Sequence, residues 1–172
     1  PTLHSRLADF IARATASDVP EREIQTNALL LADAAVVQCL VKAGLTQAVV
    51  SLHAVNPERY MAITGAGHPD TAGLGVRNLL DSGVRVELNI VHNRENLDHL
   101  VDVVRLVADR IPEAMVLFSV TYIISGLPRQ WDAVALRYST ALPHLVDAMR
   151  LARKRGLDYR MAGRCGTPPC IW

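Results

Sequence analysis

The stretch Val84–Val120, VRVELNIVHNRENLDHLVDVVRLVADRIPEAMVLFSV, carries the pattern that decides the fold. It opens with an alternation, Val84, Val86, Leu88 and Ile90 separated by polar residues, which is the period of a strand. From Asn96 to Arg110 the period lengthens, and Leu97, Leu100, Val101, Val104 and Val107 share one helical face. AMVLFSVTYII (114–124) then runs almost unbroken in apolar residues, as expected of a parallel strand covered on both faces. Strand, helix and strand joined this closely make a parallel pair with a right-handed crossover.

The same unit recurs to either side. Upstream, Glu23–Thr26 reads as a short strand, and Asp33 caps a helix through Ala43 whose apolar face is Val36, Val37, Leu40 and Val41. Gly44 is its stop. QAVVSLH (47–53) is a β-branched strand running to His53, followed by a short helix from Pro57 to Ile63 and another from Thr71 to Ser82. Downstream, Ser139–Arg155 is a long helix and LDYRM (157–161) a short extra strand. Ahead of everything, Leu3, Leu7, Phe10, Ile11 and Ala14 recur at helical spacing, with Thr2 available as N-cap. Cys39, mid-helix beside Leu40, reads as a core residue. The expected class is α/β: four parallel strands with barrel-like curvature, helices outside, and the short strand after them. At 172 residues the chain is short of the ~250 typical of a complete eight-unit barrel.

Composition narrows the function classes. Half the residues are hydrophobic, 20% are charged and the net charge is +1, so no concentrated basic face speaks for nucleic acid. The cluster Arg150, Arg153, Lys154 and Arg155 fits the last turn of a helix, where cations complement the macrodipole. No apolar run approaches a membrane span and no signal peptide is evident, so a cytoplasmic protein is expected. The three cysteines do not make a disulfide framework.

In parallel α/β folds chemistry gathers at the carboxyl ends of the strands. There the sequence places Thr26 and Asn27, Ser51 and His53, Asn89, His92 and Asn93, then Ser119 and Thr121. These are small hydrogen-bonding groups, mostly uncharged, which suit a polar organic ligand better than a phosphate. Ser51 and His53 point the same way along their strand, yet no carboxylate is spaced to orient the histidine as a hydrolytic base.

The order of these segments resembles the radical S-adenosylmethionine (radical SAM) enzymes, whose partial (β/α) barrel binds a [4Fe-4S] cluster and S-adenosylmethionine. PTLHSRLADFI (1–11) is similar to the segment after the family's second strand, with Pro1 as the proline of its Gly-Gly-Glu-Pro motif. IQTNA (24–28) resembles the third strand, Ala28 standing where a glycine is usual. VVSLHAVNPERYMAITGA (49–66) resembles the fourth strand and its loop, GVRVELNIVHNRENLDHL (83–100) the fifth, and MVLFSVTYI (115–123) the sixth.

The resemblance implies that residues 1–161 form the C-terminal part of such a barrel and that Thr26, Asn27, Ser51, His53 and Asn89 form its S-adenosylmethionine-binding wall. It also implies a chain that starts inside the second strand's motif, lacks the family's CxxxCxxC cluster ligands and is inactive alone, with one sheet edge open. The substrate, a small molecule or peptide, is not specified. In the tail 162–172, Cys165 and Cys170 flank GTPP and resemble the start of an auxiliary Fe–S site; two free thiols fit the same spacing. A second reading takes the chain as a complete, non-catalytic α/β binding module with a structural metal or free thiols at that pair.

Overall fold

The computed structural model describes residues 1–120 and 136–162. Five strands form one sheet in the order β1-β2-β3-β4-β5: Glu23–Thr26, Gln47–Ser51, Arg85–His92, Met115–Val120 and Tyr159–Met161. Every neighbouring pair is parallel. The helices are α1 (Leu7–Ala16), α2 (Ala34–Ala43), α3 (Pro57–Thr64), α4 (Pro69–Asp81), α5 (Leu100–Arg110) and α6 (Tyr138–Lys154). Strands laid down in sequential order by right-handed crossovers put their helices on one face of the sheet. That is the arrangement of a barrel wall rather than of a doubly wound sheet, and the expected α/β partial barrel is the fold that forms.

The alternation along the strands builds the two faces. Ile24, Val50, Leu88, Ile90, Val116 and Phe118 are buried among the helices. On the opposite face the polar Glu23, Gln25, Ser51, Glu87, Asn89 and Ser119 are interspersed with Val49, Val91 and Leu117. In a closed barrel these positions would be filled with branched apolar residues. Here polar and charged groups share the concave face with a few apolar ones.

Local signals fixed most element ends. The Asp33 carboxylate accepts the Ala35 N–H at 2.9 Å, and Gly44 ends α2 at φ 106°. α3 runs one residue past the expected Ile63, and α4 starts at Pro69, two residues early, because His68 Nδ1 accepts the Asp70 N–H. Ala28 makes the turn that a glycine makes in the resembling motif, at φ 59°. The close partner of this turn is Gly75 of α4: a Cβ there would lie 2.3 Å from the Ala28 carbonyl oxygen. Only glycine lets helix and turn approach this far.

Four expectations need correction. Thr2 does not cap α1; turns closed by Pro1 and His4 carbonyls occupy the first residues, and the helix begins at Leu7 with Arg6 as an N-cap lacking a side-chain bond. Leu3 and Phe10 lie outside the core, 90% and 49% exposed, and of the described α1 stripe only Ile11 is buried. Cys39 is exposed: Val37 and Leu40 take the buried face of α2, and position 39 is turned away from it. The expected helix 96–110 is divided into a 3-10 turn at Leu97–His99 and α5, because the Asn96 side chain is engaged elsewhere. Thr121–Ile124, Cys165 and Cys170 lie outside the described residues.

Candidate functional site at the carboxyl ends of the strands

Register brings three of the expected residues together. Ser51 pairs with Asn89 across β2 and β3, and Val91 with Ser119 across β3 and β4. Ser51, Asn89 and Ser119 are half-buried on the concave face. The Ser119 hydroxyl donates to Asn89 Oδ1 at 2.6 Å, which leaves the Asn89 Nδ2 amide as a donor to a ligand.

His53 lies two residues past Ser51, just beyond the end of β2, and the ladder continues beneath it through Leu52 N–H to Asn89 C=O at 3.1 Å. Its Nδ1 accepts the Val91 N–H at 3.2 Å, so in the neutral ring Nε2 carries the proton. Burial lowers its pKa, which keeps the ring neutral at pH 7. His53 is thereby a fixed neutral donor.

Asn96 holds this corner. It is fully buried; its Nδ2 donates to the carbonyls of His53 and Val91, both at 2.9 Å, and its Oδ1 accepts the Asn93 N–H at 2.9 Å. One side chain thus ties the end of β2 to the loop after β3. Its signal in the sequence is faint, an asparagine three residues after Asn93. His92 sits on the helix-facing side, stacked on Phe118 at 5.8 Å, with Nδ1–H donating to the Ser119 carbonyl.

Thr26 and Asn27 are placed differently. Thr26 falls on the helix-facing side of β1, buried, with its hydroxyl oxygen accepting the Ala28 N–H at 3.1 Å. Asn27 is exposed, and its Oδ1 accepts the Leu29 N–H at 3.3 Å. Both line a cavity of about 350 Å³ with Pro1, Thr2, Leu3 and Leu29. The first residues of the chain and the end of β1 therefore meet at one cleft. A cavity of about 370 Å³ between α4 and α5, lined largely by Leu52, Leu74, Leu106 and Ile111, holds none of the strand-end polar groups.

Deeper on the concave face runs a charged chain that sequence reasoning missed. Glu87, 4% exposed, accepts from Gln47 Nε2 at 3.0 Å and from Arg160 Nη2 at 2.6 Å. Gln47 Oε1 in turn accepts from Arg85 Nε at 3.0 Å, and Arg85 pairs with Glu21 at 3.0 Å. The network reaches from the approach to β1 to β5. The available signal was Glu87 itself, a carboxylate in the middle of the cleanest strand.

Among the described residues no group of three or more His, Cys, Asp or Glu is placed to hold a metal ion. No described helix is long and apolar enough to cross a membrane.

A five-stranded parallel wall with its strand ends along one edge defines the class as an α/β partial barrel. Comparison with known proteins bears out the resemblance to the radical SAM enzymes, although no protein-family model matches the chain. The chain is 35% identical over 107 residues to a probable GTP 3′,8-cyclase of Saccharolobus islandicus, covering 62% of this chain and 34% of that protein. It is 33% identical over 97 residues to a probable GTP 3′,8-cyclase of Metallosphaera sedula, covering 56% and 30%. The matched part thus spans about a third of these relatives. Among solved structures, a domain of pyruvate-formate lyase-activating enzyme from Bacteroides vulgatus superposes with TM-score 0.74 at 12% identity, covering 95% of this chain and 94% of that one. Streptococcus suis SuiB gives TM-score 0.75 at 15% identity, covering 95% and 37%. The chain thus resembles these cyclases in sequence over that part and shares the fold of the radical SAM structures it superposes on.

Proposed function

We propose that this chain forms the S-adenosylmethionine-facing wall of a radical SAM enzyme. The observation that carries the reading is the convergence of Ser51, Asn89 and Ser119 on one face at the strand ends, with the neutral His53 fixed to β3 just beyond them. The donor set fits the ligand. Hydroxyls, an amide N–H and an imidazole N–H can satisfy ribose hydroxyls and adenine nitrogens without opposing a sulfonium charge. The reading assigns Asn27, in the cleft beside Pro1, to the polar end of the same molecule.

In the enzymes this chain resembles, S-adenosylmethionine would supply hydrogen-abstracting radical chemistry only beside a reduced [4Fe-4S] cluster. The cluster does not fit this sequence, whose three cysteines, at 39, 165 and 170, make no CxxxCxxC. The part played by the present residues is positioning. His53 holds its proton on Nε2, Asn89 is oriented by Ser119, and Asn96 fixes the loop that carries both strand ends.

Calorimetric titration of the chain with S-adenosylmethionine tests the reading. Asn89→Ala should weaken binding about tenfold, the loss expected for one or two well-placed hydrogen bonds. Unchanged affinity in Asn89→Ala, or no binding by the parent chain, contradicts it. Iron and sulfide reconstitution should yield no reductive cleavage by this chain alone.

A further inference from the structure

The concave face carries a pocket below the strand-end residues. It measures about 220 Å³ and is lined by Glu23, Gln25, Val49, Glu87, Leu117 and Arg160, with Ala162 at its edge. We infer that this pocket binds the primary ammonium group of an amino-acid or peptide ligand and rejects a nucleoside triphosphate. The inference rests on the concave face being the ligand face, as proposed above.

Charge accounting carries it. Arg160 is paired with the buried Glu87 at 2.6 Å, and Arg85 is shared between Glu21 and Gln47. Both cations on this face are therefore neutralised within the fold. Glu23 is the remaining charge; it is exposed, on β1, with no ion pair to a described residue. Gln25, two residues on and on the same face, adds an amide next to it. The pocket thus presents one uncompensated carboxylate, one amide and the outer N–H groups of a half-exposed guanidinium.

An ammonium group finds in Glu23 a charge-assisted acceptor, while a neighbouring peptide carbonyl or carboxylate can accept from Arg160. A triphosphate finds no unpaired cation and one uncompensated carboxylate, Glu23, to repel it. Size argues the same way, since the volume lies below the roughly 300–1,000 Å³ of pockets that enclose whole drug-sized ligands. Its volume suits a single side chain or amine.

The test is a set of amide-resonance titrations on the folded chain with acetyl-Gly-Lys-Gly-amide, the same peptide acetylated at the lysine Nζ, and GTP. The lysine peptide should shift the amides of residues 23–25, 87 and 160–162. Acetylation, or Glu23→Gln in the protein, should each weaken the effect about tenfold, because each removes one partner of the charge-assisted bond. Glu23 is exposed, so its substitution leaves the fold and the S-adenosylmethionine titration unchanged. Equal binding of the acetylated peptide, tighter binding of GTP at these amides, or no shift with the lysine peptide overturns the inference. If S-adenosylmethionine still shifts residues 51–53 and 89–93, the failure is of this pocket; if those shifts are absent too, the reading beneath it has failed.

Discussion

Arg160→Met should destabilise the chain by about 2–3 kcal/mol, a value below the full cost of breaking a buried pair because Arg160 is itself half-exposed. The loss comes from the group left behind. Glu87 has a side chain only 5% exposed, and without Arg160 its carboxylate retains a single neutral donor, Gln47 Nε2. An uncompensated charge held in that position costs more than the pair contributed. The companion Glu87→Leu removes the charge, so the double variant should recover most of the loss. Urea midpoints of the four proteins measure the coupling. A loss below about 0.5 kcal/mol in Arg160→Met, or strict additivity in the double variant, would mean that the network is ornamental.

Acid should unfold the chain earlier than its carboxylates alone would dictate, through His92. The ring is 1% exposed, and burial lowers its pKa from 6.5 to about 4, opposed in part by the bond to the Ser119 carbonyl and assisted by His53. The folded pKa is depressed, so between pH 6.5 and about 4 the unfolded chain binds the proton and the folded chain does not. Stability therefore falls as pH drops through that window and levels off below it. The expected loss is about 3 kcal/mol, at about 1.4 kcal/mol per pKa unit. His53, also lowered by burial, adds in the same direction. His92→Leu should flatten the fall in urea midpoint between pH 7 and 4.5; an equal fall in the variant and the parent would refute the assignment.

Both effects depend on parts of the molecule that differ in how openly the sequence shows them. The wall itself was legible because Val84–Ile90 keeps a period of two and Leu100–Arg110 a period near 3.6. Helix ends were legible where a local atom decides them, as at Asp33 and Gly44. The Glu87–Arg160 pair was not, because the partners are 73 residues apart and meet only through the register of β3, β4 and β5. Cys39 was misplaced for a related reason: a helix with a generous apolar stripe does not state its edge, and Val37 and Leu40 take the buried side.

The candidate site was legible as a set of strand-end residue types, less so as an arrangement. Ser51 and Asn89 share a face because their strands alternate in register, and His53, past the end of β2, is held to β3 by the Val91 N–H. Thr26 belongs to the other face because β1 buries Ile24 and Thr26 together, and its hydroxyl is turned to the Ala28 N–H. Asn96 shows no chemistry of its own in the sequence; its importance lies in two carbonyls that only the fold brings to it.

The central claim, that the concave strand ends face S-adenosylmethionine, is tested most directly by mapping where that molecule binds. Titration followed by backbone amide resonances should shift residues 51–53, 89–93 and 119 together with Asn27, and leave the outer face of α4 and α5 unmoved. Shifts confined to the cavity between α4 and α5, or none at saturating concentration, would contradict it.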